Sequence, residues 1–203
     1  MISKPKEDAW IGKREDNTFQ NYQRGEYDKA LSACDDKRTA IDLGGNIGMM
    51  AYRMCEDFNS VHSFEPLFSK HIDENTKKFN NIKIYPWAAG DKKEKVTMRK
   101  GLYHSGGSNI IKEKKQTGQT YVDVEVVLVD DFDIQDVDFL KIDVENYEYP
   151  ALLGAIKTIK KYSPVILIEL HEHNPNRQEI VDLLESLEYK GEKIGETDWL
   201  FKK

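Results

Sequence analysis

Apolar and polar residues follow two different periods along this chain, and the changes of period mark its elements. From Arg38 onward short apolar runs alternate with amphipathic stretches. The pattern predicts a strand over 38–43, a helix over 47–57, a strand over 60–65, a helix over 67–80 and a strand over 82–87. The same rhythm returns with a strand over 137–142, a helix over 147–161, a strand over 165–170 and a helix over 176–187. In the helix over 147–161, Ala151, Leu152, Ala155, Ile156 and Ile159 form a stripe at helical spacing. The run Val165-Ile166-Leu167-Ile168 is apolar on both sides, as expected of a strand covered on both faces. Strands alternating with helices in this way predict βαβ units, a mostly parallel sheet and helices on both of its faces. Two short segments, 189–194 and 198–201, predict an antiparallel hairpin at the C-terminal edge.

Residues 91–127 break the rhythm. Lys95 to Met98 and Tyr121 to Val126 alternate in period two, which predicts an antiparallel β insertion. The polar loop Gly101 to Gly118 between them is long enough to expect a functional role, with His104 positioned to meet a substrate. Gly25 to Asp35 reads as a helix leading into the first strand. The segment before it has no clean period, but Trp10, Ile11, Phe19 and Tyr22 suggest that it packs on the domain or covers a site. The expected organisation is one domain over 1–203, with residues 1–35 as a leader or lid and 36–203 as the α/β core.

The most informative stretch is Ile41-Asp42-Leu43-Gly44-Gly45-Asn46-Ile47-Gly48. It reads as a strand, a tight glycine turn and a helix start. Open α/β sheets bind ligands at that end of their strands. The glycines at 44, 45 and 48 do not have the G-x-G-x-x-G spacing of a dinucleotide fingerprint. An acid two residues before the first glycine would repel a pyrophosphate and suits a cationic ligand. A second acid, Glu65, ends the next strand at the place where a ribose diol is gripped, about 20 residues on. These features fit S-adenosylmethionine, which carries a ribose, a sulfonium and an ammonium but no phosphate. Lys141-Ile142-Asp143-Val144-Glu145 ends the neighbouring strand and brings two more acids to the same crevice. Trp87, at the tip of the third strand and followed by Ala88, has two readings: an aromatic that packs on a purine, or a plain core residue.

Charge and composition narrow the function. A net charge of −6 argues against a dedicated nucleic-acid binder, and the lysines at 92–95 and 112–115 are interrupted by Glu. No apolar run approaches the roughly 18 residues of a membrane span, and the N-terminus has no signal-peptide core, so a cytoplasmic protein is the expectation. Cys34 and Cys55 lack metal or redox spacing and read as structural thiols. His171 and His173 share a face of an extended chain, but no metal motif accompanies them, so no metal is assigned. A general base is required to take the proton of an acceptor hydroxyl; Asp143, Glu145 and His171 are the candidates.

Taken together, Ile41 to Gly48, Phe64-Glu65-Pro66, Ala88-Ala89-Gly90-Asp91, Leu140 to Glu145 and Ala151 to Ala155 resemble the FkbM-type family of S-adenosylmethionine-dependent methyltransferases. The resemblance covers about 38–171. It implies a Rossmann-like methyltransferase sandwich and O-methylation of a hydroxyl on a sugar or small metabolite. The resemblance carries Asp42, Gly44, Asn46, Gly48, Glu65 and Asp143 into the cofactor site, and Gly45, Pro66, Trp87 and Ala88 complete the expected cofactor set. Within it Glu65 holds the ribose, and Asp143 lies near the transferring methyl. His171 or Glu145 takes the proton while Asp143 orients the cofactor ammonium. One departure is Asn146, where the family has glycine after Asp-Val-Glu. The competing readings are a methyltransferase-shaped binding domain without catalysis and a nicotinamide-dependent oxidoreductase.

Overall fold

The computed structural model describes residues 2–8, 18–101, 105–111 and 118–203. Helix α1 (Arg24–Ser32) leads into β1 (Thr39–Leu43), followed by α2 (Met49–Asp57), β2 (Ser60–Phe64), α3 (Ser69–Thr76) and β3 (Ile82–Tyr85). After an insertion come β8 (Val137–Ile142), α4 (Glu148–Gly154), α5 (Ile156–Tyr162), β9 (Val165–Glu169), α6 (Arg177–Ser186), β10 (Lys190–Lys193) and β11 (Asp198–Lys202). The main sheet has the order β10-β11-β9-β8-β1-β2-β3. Strands β3, β2, β1, β8 and β9 are parallel; β11 pairs antiparallel with β9, and β10 with β11. The expected parallel sheet with an antiparallel C-terminal edge is therefore present.

Side-chain alternation along these strands builds two cores. Ala40, Phe139, Val165 and Leu167 face α1 and α2, where Tyr27, Ala30, Met50 and Met54 cover them. Ile41, Leu43, Leu140, Ile142, Ile166 and Ile168 face the other way, onto Ala151, Leu152 and Ile159 of α4 and α5 and onto Ile180 and Leu184 of α6. This period-two split is what places helices on both faces. It leaves the carboxyl ends of β1, β8 and β9 side by side at one rim.

The insertion forms a second sheet from β4 (Ala88–Ala89), β5 (Glu94–Arg99), β6 (Asn109–Ile111) and β7 (Tyr121–Val127), in the order β4-β7-β5-β6. Part of the expected loop from 101 to 118 is thus a strand, because Asn109 to Ile111 pairs with Thr97 to Arg99. His104, Trp10, Ile11 and the lysines at 112–115 lie outside the described residues.

Two predicted elements end earlier than expected. The strand over 82–87 stops at Tyr85, since Pro86 has no N–H to offer a ladder; the chain then crosses to the second sheet at Ala88. The helix over 147–161 is two helices that break at Ala155. The Asp130 carboxylate causes the second start: it accepts hydrogen bonds from the N–H groups of Lys157 and Thr158, both at 2.9 Å, and from Thr158 Oγ1 at 2.8 Å. The first end is set by Gly154, where a Cβ would fall 2.0 Å from the Gly90 carbonyl oxygen.

Candidate functional site

The turn after β1 packs directly on the turn after β8. Gly44 has φ of 84°, and a Cβ there would lie 1.8 Å from the Asp143 carbonyl oxygen. Its N–H, with that of Gly45, points to the Phe64 carbonyl at 3.0 and 3.3 Å. Glu65 ties the next loop to this turn. One carboxylate oxygen accepts from the Asn46 N–H at 2.9 Å; the other accepts from Leu67 and Phe68 at 2.7 and 3.1 Å. Burial pushes the Glu65 carboxyl up to about 7 against the pull of those three N–H groups. Those three bonds leave one of the carboxylate's roughly four lone-pair sites for a hydroxyl donor.

These turns border a cavity of about 440 Å³, within the usual range for a small-molecule site. Of the residues expected at the site, Gly44, Gly45, Asn46, Glu65, Pro66, Ala88, Asp143 and Glu145 line it. One wall is apolar, with Ile47, Met49, Phe68, Met98 and Ile110. The lining from the ends of β8 and β9 is acidic. Carboxylate oxygens of Asp143, Glu145 and Glu169 lie within 4.8 Å of one another, close enough to share a proton or a hard cation. Glu169 also accepts from Thr197 Oγ1 at 3.0 Å. Burial and the neighbouring Asp143 push Glu145 up to about 7 and Glu169 up to about 8. Environments that separate carboxyl groups in this way produce distinct acid and base roles.

Asn146 and Glu145 both adopt left-handed backbone, with φ of 69° and 54°. Asparagine tolerates this conformation where most residues do not, so the departure from glycine preserves the turn. Asn146→Gly is expected to leave stability nearly unchanged, whereas Asn146→Val is expected to lower it by about 1–2 kcal/mol, measured by thermal melting.

Four expected residues stand off the cavity wall. Asp42 is fully buried behind it, accepting from Ser63 Oγ at 3.1 Å and lying 3.9 Å from Lys141 Nζ. The β1–β8 register sets Asp42 beside Lys141, where its charge offsets a buried ammonium. Gly48 precedes α2 and packs on Ile72 of α3. The Trp87 ring lies against Phe132 and Tyr85, at centroid distances of 5.8 and 6.2 Å, because the chain turns into the core after Pro86. His171 stacks on His173 in the turn after β9, with Nε2 3.4 Å from a Glu169 oxygen. It is Glu169, not the histidine pair, that converges with Asp143 and Glu145.

The sequence reading missed Lys141, Glu169, Gln23 and the apolar wall supplied by the insertion. Lys141 carried a signal: an ammonium within an apolar strand needs buried partners. Its Nζ donates to Asp143 Oδ2 at 3.1 Å. Although burial works against the charge, Asp143 and Asp42 hold the ammonium protonated well above its ordinary range. Tyr22 and Gln23 reach the cavity from the N-terminal segment.

The sequence model for the methyltransferase FkbM domain matches residues 42–192. No protein of curated function matches the chain. Among solved structures, the FkbM methyltransferase of Methylobacillus flagellatus superposes with a TM-score of 0.59 at 17% identity, over 82% of this chain and 44% of that one. This chain thus spans less than half of that relative's length. A methyltransferase from Streptococcus mutans, solved in complex with SAH, gives 0.51 at 10% identity, over 86% of this chain and 92% of that one. An rRNA methylase from Streptococcus thermophilus gives 0.50 at 9% identity, over 87% and 93%. The shared fold is the Rossmann-like methyltransferase sheet, here with a small curled insertion sheet.

Proposed function

Since this chain belongs to the FkbM family of S-adenosylmethionine-dependent methyltransferases, we propose that it methylates a hydroxyl group on a sugar or other small metabolite. The membership overturns the nicotinamide-oxidoreductase reading. The observation that carries the proposal is the lining of the cavity: the glycine turn and Glu65 after β1 and β2, and three converging carboxyls at the ends of the adjacent β8 and β9.

The residues present fit the cofactor. Asn46, in the turn that lines the cavity, presents a buried Oδ1 with no partner of its own. Glu65 is placed to hold the ribose, and Asp143, fixed by Lys141, is placed to meet an ammonium. S-adenosylmethionine supplies an electrophilic methyl group on a sulfonium. The chain's part is positioning, proton removal and exclusion of water. Glu145, raised to about 7 and beside Asp143, is the general base in this reading. His171 contacts Glu169 and supports it from behind. In this reading Tyr22 and Gln23, ahead of α1, act as a cover over the cavity.

The acidic lining disfavours a polyanionic acceptor, so nucleic acid is not the proposed substrate. Among the described residues no helix is long and apolar enough to cross a membrane. The test is release of S-adenosylhomocysteine when the protein is given S-adenosylmethionine and panels of saccharides, hydroxylated metabolites and RNA. Turnover with a hydroxylated small molecule is expected; turnover with RNA alone would overturn the reading.

The pH dependence follows from Glu145. A base must be ionised to work, so kcat should rise as pH increases through about 7, the value to which burial raises Glu145. Glu145→Gln should remove that limb and lower kcat about 10²-fold. A variant profile that keeps the limb would assign the base elsewhere.

A further inference from the structure

A buried carboxylate outside the cavity wall holds the acidic turn in shape. Glu148, at the start of α4, is 2% exposed. Its Oε1 accepts hydrogen bonds from the N–H groups of Val144 and Asn146, at 3.2 and 3.1 Å. Its Oε2 accepts from Asn174 Nδ2. Asn174 is itself locked in the loop after β9: its N–H donates to the His171 carbonyl at 3.1 Å, and its Oδ1 accepts from the Asn176 N–H at 2.9 Å. One side chain therefore joins the two loops that follow β8 and β9, the loops flanking Asp143, Glu145 and Glu169.

The turn needs such a tie. Glu145 and Asn146 are consecutive left-handed residues, a conformation that costs energy unless its surroundings fix it. The two N–H groups that Glu148 receives flank Glu145 on either side. If they were released, the turn would lose the restraint that aims the Glu145 carboxylate into the cavity.

We propose that Glu148 is a positioning residue. By clamping residues 144–146 to Asn174 it sets the Glu145 carboxylate beside the cofactor's sulfonium and methyl group, while Asp143, held independently by Lys141, keeps the ammonium. This deepens the proposed function and rests on the cavity being the cofactor site. Its consequence is a specific one. Glu148 supports the preference for S-adenosylmethionine over S-adenosylhomocysteine, because the two ligands differ in the positive sulfur beside Glu145 and share both the ribose held by Glu65 and the ammonium met by Asp143.

Both ligands are titrated calorimetrically into wild type, Glu148→Ala, Glu148→Gln and the double variant Glu148→Gln/Asn174→Asp, with melting curves recorded for each. Removal of a carboxylate acceptor from buried N–H groups predicts about tenfold weaker binding of S-adenosylmethionine to Glu148→Ala. Binding of S-adenosylhomocysteine should stay within about threefold, since it tracks Glu65 and Asp143. Glu148→Gln keeps the Oε1 acceptor but sets two amide donors against each other at Asn174. The double variant restores a donor–acceptor pair there and should recover most of the preference. Equal losses for the two ligands, or an unchanged ratio in a folded Glu148→Ala, would overturn the proposal. Where Glu148→Ala does not fold, an unchanged ratio in Glu148→Gln would do the same. Failure of wild type to bind either ligand would instead overturn the cofactor site beneath it.

Discussion

Lys141→Met is expected to destabilise the protein by about 3–5 kcal/mol at neutral pH, the cost of leaving one partner of a buried ion pair unpaired. Lys141 is the only described cation within 4 Å of Asp42, which is fully buried and otherwise held by Ser63 Oγ. Burial already raises the Asp42 carboxyl above its ordinary value, and the Lys141 ammonium is the largest influence opposing that rise. Without it, the folded state favours the protonated acid still more. The sign follows: an acid raised on folding weakens the fold as pH climbs above its unfolded value of 3.8, so the deficit of Lys141→Met shrinks as pH falls toward that value. Adding Asp42→Asn should recover much of the loss at neutral pH. Chemical denaturation of the two variants against pH measures both effects. A deficit independent of pH would mean that the loss comes from packing alone.

Gly44→Ala is the second large effect. The residue needs left-handed backbone, with φ of 84°, and a methyl group would overlap the Asp143 carbonyl oxygen at 1.8 Å. The backbone cost of about 1–2 kcal/mol adds to an overpacking cost of about 1–3 kcal/mol, so a loss of about 2–5 kcal/mol is expected. The alternative to unfolding is separation of the two turns. That would displace the Phe64 carbonyl contacts and the acidic turn together, and cofactor binding would be lost even in a protein that stays folded. Thermal melting and ligand titration separate the two outcomes.

Much of this architecture is legible in the residues themselves, because it rests on local periodicity. The switch between Phe139 on one face and Leu140 and Ile142 on the other is visible in the strand, and it fixes helices on both sides of the sheet. The glycine turn and Glu65 are legible for a similar reason: their spacing and backbone demands are local. The contacts that went unread are long-range. The break at Ala155 is set by Asp130, 28 residues from the Thr158 N–H it receives. Asp42 looked like a ligand contact because it ends an apolar run beside glycines. Its carboxylate is set beside Lys141, a pairing that depends on strand register. Glu169 was passed over for the more conspicuous His171 and His173, yet it is the residue at the strand tip, while the histidines lie beyond it in a turn. Trp87 offered a plausible purine platform but serves the core.

The central claim is that the cavity between Glu65 and the acidic turn is where the cofactor binds. Its most direct measurement is calorimetric titration of S-adenosylmethionine into wild type and Glu65→Ala. Saturable one-site binding to wild type, weakened about tenfold or more in the variant by loss of the carboxylate hydrogen bonds, is predicted. Equal affinity in the two folded proteins would place the cofactor elsewhere and contradict the account.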